Sequence, residues 1–315
     1  MDNTLMGRIT RVNDGWMKFV EVKTKTTCTM VFLLCIAFFY HLELAIAWPE
    51  TIIFMLATLL VDLATTATNN YMGYKKEGEA LTLKPRTGRI IIVSLFALAS
   101  VLGIVLLVMT QNVLILIAGG ICFLVGATYT TGPIPIAATP LGELLSGVIQ
   151  GYMNAFIFAL INVPVGRLIF LAVDDSFITL HLEWPWLLAF LFFGWIPTAL
   201  IAGVMLANNT CDLTKDEEIG RYTLPHYIGR KGALKLYTAL YVSIYVAIVV
   251  LVLMQAFSPW QLAVLLTAIP LFRNVKQFWQ KQVKSENFTL TLKNLALIML
   301  SLTVTFFISA IIIRL

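Results

Sequence analysis

Nine predominantly apolar runs alternate with polar connections along the chain: Thr27 to Trp48, Glu50 to Tyr71, Arg89 to Met109, Val113 to Thr131, Leu141 to Val163, Trp186 to Ala207, Leu234 to Ala256, Pro259 to Phe272 and Leu290 to Ile313. Most of them approach the roughly 20 residues that a helix needs to cross about 30 Å of hydrocarbon. The run from Pro259 is short, which predicts a tilted span or one that borrows from its flanks. Pro135 and Pro140 punctuate the connection before the fifth run, and Ser258-Pro259 predicts a tight turn before the eighth. The pattern predicts an all-α integral membrane protein with about nine transmembrane helices.

Residues 1–26 carry a different pattern. Leu5, Ile9, Val12, Trp16 and Phe19 recur at three- and four-residue steps, with Arg8, Arg11 and Lys18 off that stripe, as in an amphipathic helix lying in the membrane interface. The chain therefore divides into an interfacial segment, 1–26, and a single polytopic domain, 27–315. A cleavable signal peptide is not expected, because Met1 to Lys25 has scattered charges and no continuous apolar core.

Charge orients the spans. The amino-terminal segment and the connections bearing Lys75, Lys76, Lys84 and Arg86, then Lys215, Arg221, Arg230 and Lys231, then Arg273, Lys276, Lys281 and Lys284 all fall on one side. The alternate connections have hardly any Lys or Arg apart from Arg167. The positive-inside rule makes the basic side, with the amino terminus, cytoplasmic. On this reading Lys75, Lys76, Lys281 and Lys284 are topology anchors.

Composition agrees. Of 315 residues, 59% are hydrophobic and 12% charged, against about a quarter charged in soluble domains, and mean hydropathy is +0.87. The net charge of +5 follows from topology, so the partner is membrane lipid and no nucleic acid is expected. Cys28, Cys35, Cys122 and Cys211 show no paired spacing and read as ordinary buried thiols.

The chemistry concentrates in Asn208 to Gly229, which follows the sixth run. Asn208, Asp212 and Asp216 are spaced by four, so on a helix their oxygen-bearing side chains stand on one face. Mg2+ takes such oxygen ligands and completes its shell with water and substrate phosphates, so a diphosphate site is the natural reading. The pattern recurs after the second run: Asn69-Asn70 matches Asn208-Asn209, Glu77 stands where Asp216 does, and Gly73 replaces an acid. Both copies fall on the cytoplasmic face. Neither a phosphate-cradling G-x-x-x-x-G-K-[ST] loop nor an H-E-x-x-H helix is present, which weakens nucleotide-hydrolase and zinc-hydrolase readings.

These two motifs, with Gly132-Pro133-Ile134-Pro135 and Leu141-Gly142-Glu143 between them, resemble the UbiA superfamily of intramembrane aromatic prenyltransferases. Gly220-Arg221-Tyr222-Thr223-Leu224 and Val22-Lys23-Thr24-Lys25 look most like its menaquinone branch, the 1,4-dihydroxy-2-naphthoate polyprenyltransferases. The resemblance runs from about Val20 to the carboxyl end. It implies nine helices around a central cavity open laterally to lipid, with Mg2+ holding a polyprenyl diphosphate whose first carbon is attacked by an aromatic acceptor such as 1,4-dihydroxy-2-naphthoate. The naphthoate reaction yields demethylmenaquinone, as part of menaquinone biosynthesis.

The departing diphosphate is multiply charged, and cations aimed at its oxygens stabilise that charge as it develops. Asn69, Glu77, Asn208, Asp212 and Asp216 are the expected metal ligands, Asp212 and Asp216 being the catalytic pair and Asn70 and Asn209 supporting residues. Lys23, Lys215 and Arg221 are the expected diphosphate contacts. Tyr71 and Tyr129 are candidates to stabilise an allylic cation by their ring faces. Gly73 departs from the family, which carries Asp there; Glu77 or Glu79 are expected to bend in, a glycine helping the helix end to unwind.

His41 and His181 read as interfacial residues, His226 as a loop residue, and Glu143 as an acid favoured by the dipole of a helix start. A transporter would place ionisable groups at mid-span, whereas these spans read as nearly uncharged there. A non-catalytic or weakly active isoprenoid- or quinone-binding paralogue stays open, as does transfer to another aromatic acceptor. The expected location is a bacterial plasma membrane, with the active site on the cytoplasmic side.

Overall fold

The computed structural model describes residues 15–21, 25–78, 80–81, 83–164, 167–173 and 178–314. Its helices are α1 (Thr26–His41), α2 (Trp48–Glu77), α3 (Pro85–Thr110), α4 (Val113–Thr128), α5 (Gly142–Gly147), α6 (Asn154–Asn162), α7 (Trp184–Glu218), α8 (Leu224–Leu253), α9 (Ala268–Gln280) and α10 (Phe288–Arg314). A wider π-helical stretch, Val148–Met153, joins α5 to α6 into one continuous rod, and a 3-10 stretch, Pro259–Thr267, leads into α9. Every apolar run thus contains helix, although the first loses its last residues, 42–47, to an irregular connection. Among the described residues, six segments are long and apolar enough to cross a membrane, while Thr27–His41 and Val113–Thr128 are apolar but shorter.

Local chemistry sets several helix ends. Proline at the first turn of α2, α3, α7 and α8 costs no hydrogen bond, since those amides lack helical partners. Asn112 caps α4 by accepting from the Leu114 amide at 3.0 Å, and Ser258 caps the 3-10 stretch. α2 runs unbroken through Gly73 and ends at Gly78, whose φ of +70° is natural to glycine. The expected unwinding at Gly73 therefore does not occur. The backbone of α8 breaks at Gly229, at φ +69°.

One short antiparallel hairpin interrupts the helical pattern, with β1 (Ile169–Val173) paired to β2 (Ile178–Leu182) and Ile169 facing Leu182. It lies in the connection before α7. Its strand-forming residues Ile169, Phe170, Ile178 and Thr179 supply the local preference.

Helices pack through small residues, as expected where lipid removes the hydrophobic drive between them. A Cβ on Gly151 would stand 2.5 Å from the Thr198 amide nitrogen, and one on Gly147 2.6 Å from the Thr198 carbonyl. The α5-to-α6 rod therefore touches α7 backbone to backbone, beside Pro197, which leaves α7 without one amide donor. At the far end of α1, Phe38 stacks on Phe193 at 4.2 Å between ring centres and meets Phe257 and Phe306 edgewise or tilted. α3 is mostly uncovered, with Ile90, Val93, Val101, Ile104 and Val108 exposed, an apolar face suited to acyl chains.

Several sequence expectations change in this context. His41 is a buried core residue, its Nδ1 2.9 Å from Ser309 Oγ, which also accepts from Gln261 at 3.1 Å. His226 sits in the first turn of α8, with Nδ1 2.8 Å from Glu217 Oε1 and its ring 4.6 Å from Tyr222. Tyr71 packs with Phe19, Val20 and Leu63 in a side cluster. Of the amino-terminal segment, 15–19 is helical, with Trp16 exposed and Phe19 buried; residues 1–14 lie outside the described residues. All four cysteines are free thiols.

Candidate active site

A chain of contacts brings the two polar motifs to one end of the bundle. Thr65 on α2, one turn before Asn69, donates to the Gly126 carbonyl near the end of α4 at 3.3 Å. Just past α4, the Tyr129 hydroxyl donates to the Gly142 carbonyl at 3.2 Å. Next to Gly142, Glu143 Oε1 accepts from Asn209 Nδ2 on α7 at 2.8 Å. Each motif occupies the carboxyl-terminal turns of its helix, where exposed carbonyls make the potential negative and cations are favoured.

In the second motif, Asn208 to Asp216 is continuous helix, so the four-residue spacing does align along α7. Asp212 Oδ2 lies 2.6 Å from Lys284 Nζ. Asp216, 2% exposed, has Oδ1 3.5 Å from Arg221 Nη1, and Arg221 also donates to the Ala137 carbonyl at 3.2 Å. Asn208 Nδ2 reaches Asn209 Oδ1 at 3.3 Å. Lys215 is exposed in the last turn of α7. Lys284, read from sequence as a topology anchor, is thus a direct neighbour of the motif, whereas Lys281 pairs with Glu286.

The first motif is more open. Asn69 is exposed at the end of α2 and Gly73 is buried. Asn70 Nδ2 donates to the Phe19 carbonyl at 2.9 Å and reaches Glu21 Oε1 at 3.2 Å, so it ties the amino-terminal segment to α2. Lys23 and Glu79 lie outside the described residues, as does the side chain of Glu77.

Beneath the motifs, a cavity of about 460 Å³ lies between α2, α3, α4 and the α5-to-α6 rod. Its polar lining includes Asp62, Thr65, Tyr129 and Ser146, the last less than a turn from Glu143. Ile104, Leu116 and Leu124 also line the cavity while at least half exposed, which opens it sideways towards lipid. A Cβ on Gly103, Gly119 or Gly120 would meet nothing within 4 Å, so these glycines widen the space.

Asp62 corrects the reading of uncharged spans. It stands two turns before Asn69, with Oδ1 3.2 Å from Lys25 Nζ, and Lys25 also donates to the Asp62 carbonyl at 3.2 Å and to Thr66 Oγ1 at 2.5 Å. A lone acid in an apolar run was the available signal, since an ionisable group inside a membrane is costly without a partner and a role. Glu143 is likewise more than an acid at a helix start: it is 3% exposed, tied to Asn209, and its Oε2 makes no hydrogen bond of normal geometry.

The fit to a divalent cation rests on the donor set. Among the described residues, no three His, Cys, Asp or Glu side chains form a ready metal cluster. Asn208, Asp212 and Asp216 nevertheless offer oxygen alone, at a helix end that disfavours anions, and both carboxylates carry a cationic neighbour. Such a set calls for positive charge and fits a hard cation whose remaining ligands are water or phosphate. The first motif is one acid short at Gly73.

Known proteins point the same way. The profile of the UbiA prenyltransferase family matches residues 30–300. A 1,4-dihydroxy-2-naphthoate octaprenyltransferase of Bacillus subtilis (strain 168) is 28% identical over 242 residues, 73% of this chain and 71% of that protein. The apo structure of a UbiA homologue from Aeropyrum pernix K1 superposes with a TM-score of 0.62 at 17% identity, covering 91% of this chain and 98% of its own. A UbiA homologue from Archaeoglobus fulgidus, bound to GPP and Mg2+, gives 0.62 at 13% identity over 94% and 99% of the two chains. At such identities the structural likeness is one of fold, whereas the profile match spans most of the sequence: this multi-pass membrane protein belongs to the UbiA prenyltransferase family.

Proposed function

We propose that the protein transfers a polyprenyl group from its diphosphate to an aromatic acceptor, 1,4-dihydroxy-2-naphthoate, with loss of carbon dioxide and diphosphate, giving the hydroquinone demethylmenaquinol, which oxygen then oxidises to demethylmenaquinone. The observation that carries this reading is the link from the second motif to a laterally open apolar cavity: Asn209 donates to Glu143, and the neighbouring Gly142 carbonyl accepts from Tyr129 of the cavity wall. A charged head and a long apolar tail are what such a site accommodates together. The Bacillus subtilis relative and the Gly220 to Leu224 stretch support the naphthoate as acceptor.

Asn208, Asp212 and Asp216, with Asn69 and Glu77 from the first motif, would hold Mg2+. Bound there, the metal neutralises charge that grows on the departing diphosphate. Arg221, beside Asp216, and Lys23 supply further positive charge to the same oxygens; Lys215 is exposed and reads better as a helix-end residue. The apolar cavity wall keeps water from the prenyl carbon as its bond to oxygen lengthens. Tyr129 lines that space, its hydroxyl held by the Gly142 carbonyl. Asn209 and Asn70 act indirectly, the first tying α7 to Glu143 and the second tying residues 19–21 to α2.

On this reading all nine apolar segments cross a bacterial plasma membrane, residues 1–26 lie on its cytoplasmic surface, and the site opens to that side. Gly73, buried in α2 where the family has an acid, favours a second reading, a non-catalytic isoprenoid-binding paralogue. A transfer assay in liposomes separates them, using polyprenyl diphosphate, 1,4-dihydroxy-2-naphthoate and Mg2+. Metal-dependent demethylmenaquinone that disappears in Asp212→Ala supports the enzyme; binding of the prenyl diphosphate without product from any aromatic acceptor supports the paralogue.

A further inference from the structure

We propose that Lys284 is a diphosphate-binding residue, held on Asp212 until a divalent cation takes that carboxylate; this rests on the metal-site reading of the second motif. Lys284 lies in the connection from α9 to α10, and its ammonium is 2.6 Å from Asp212 Oδ2. Asp216 turns instead to Arg221, which also donates to the Ala137 carbonyl. The connection is itself anchored beside the motif. Gln282 donates to the Phe278 and Trp279 carbonyls at the end of α9 and stands 3.5 Å from Arg230 of α8, while Lys281 closes onto Glu286. Lys284 is therefore presented to the end of α7 by backbone and side-chain contacts that do not involve Asp212.

The pair is well suited to exchange. The Lys284 side chain is 52% exposed and that of Asp212 22%, and ion pairs with one partner so open to solvent add little to stability. Its role in holding the fold is correspondingly small. A hard cation competes for the same carboxylate oxygens with higher charge. Once displaced, the lysine keeps a flexible four-carbon stem and three donors, beside the place where diphosphate oxygens complete the metal's shell. A charge-assisted bond from an ammonium to phosphate then replaces the one to carboxylate.

Removing the ammonium should therefore move two affinities in opposite directions, which a merely structural lysine would not do. Titration calorimetry on the full chain in nanodiscs measures Mg2+ alone, then inorganic diphosphate at saturating Mg2+. Lys284→Gln should bind Mg2+ about threefold more tightly, because a competitor is gone, and diphosphate about tenfold more weakly, the loss expected for one charge-assisted hydrogen bond. Lys284→Arg should keep most of the diphosphate affinity, and Lys276→Gln, at an exposed lysine of α9, should change neither. Parallel loss of both affinities, or no change in either, overturns the proposal. If Asp212→Asn binds Mg2+ as tightly as the unaltered protein, the metal-site reading itself falls, and the role of Lys284 with it.

Discussion

Replacing Lys25 by Met tests whether the ion pair at the cavity wall is a coupled unit. Lys25 and Asp62 side chains are 8% and 18% exposed, their charged atoms are 3.2 Å apart, and the ammonium also serves Thr66 and the Asp62 carbonyl. Removing one partner of a buried pair strands the other charge, at about 3 to 5 kcal/mol. The residual exposure of Asp62 places Lys25→Met near the lower figure, about 3 kcal/mol. Asp62→Asn should cost less, about 1 to 2 kcal/mol, since two oxygen acceptors for the ammonium survive. The double variant has no stranded charge, so it should recover about 2 kcal/mol relative to the sum of the single changes.

The readout is the unfolding midpoint in detergent at a fixed scan rate, because unfolding of a chain this size is commonly irreversible. At about 2 °C per kcal/mol, Lys25→Met should lower the midpoint by about 6 °C. The double variant should lie above Lys25→Met. Strictly additive losses would refute the coupling and leave Lys25 as a helix-start residue with no special tie to Asp62.

Other consequences follow from the packing and the site. Gly151→Ala drives a methyl group against the backbone at Thr198 and should cost about 3 kcal/mol, the upper end for overpacking, whereas Gly120→Ala, with open space around it, should leave the unfolding midpoint unchanged. A bulkier change at the same wall, Gly120→Phe, fills the cavity and should slow transfer from long polyprenyl diphosphates far more than from geranyl diphosphate; equal slowing would place the prenyl tail elsewhere. Gly73→Asp should lower the Mg2+ concentration that half-saturates activity, since affinity grows with carboxylate count, and an unchanged dependence would put residue 73 beyond the metal's reach.

Much of this protein was legible along the chain because the signals are local. Apolar runs long enough for a bilayer mark the helices, proline and glycine mark their ends, and a four-residue spacing puts Asn208, Asp212 and Asp216 along one helix whatever surrounds it. Helix ends owe little to distant contacts, which is why Pro259 and Ser258 appear where expected while the hairpin at 169–182, formed by pairing two short strands, does not. The resemblance to a family carried the chemistry further than spacing alone.

Tertiary structure decided which residues meet. Lys284 reaches Asp212 across 72 positions, Asn209 reaches Glu143 across 66, and Lys25 reaches the Asp62 backbone across 37. No periodicity within a helix encodes such separations. Sequence could count charges and assign them to a side of the membrane, but burial and distance settle whether a lysine is an anchor in lipid headgroups or the partner of a motif acid. The same holds for the glycines: composition records them alike, yet Gly151 lies against another backbone, Gly120 faces open space, and Gly78 ends a helix, because close packing, void and left-handed backbone are properties of the folded chain.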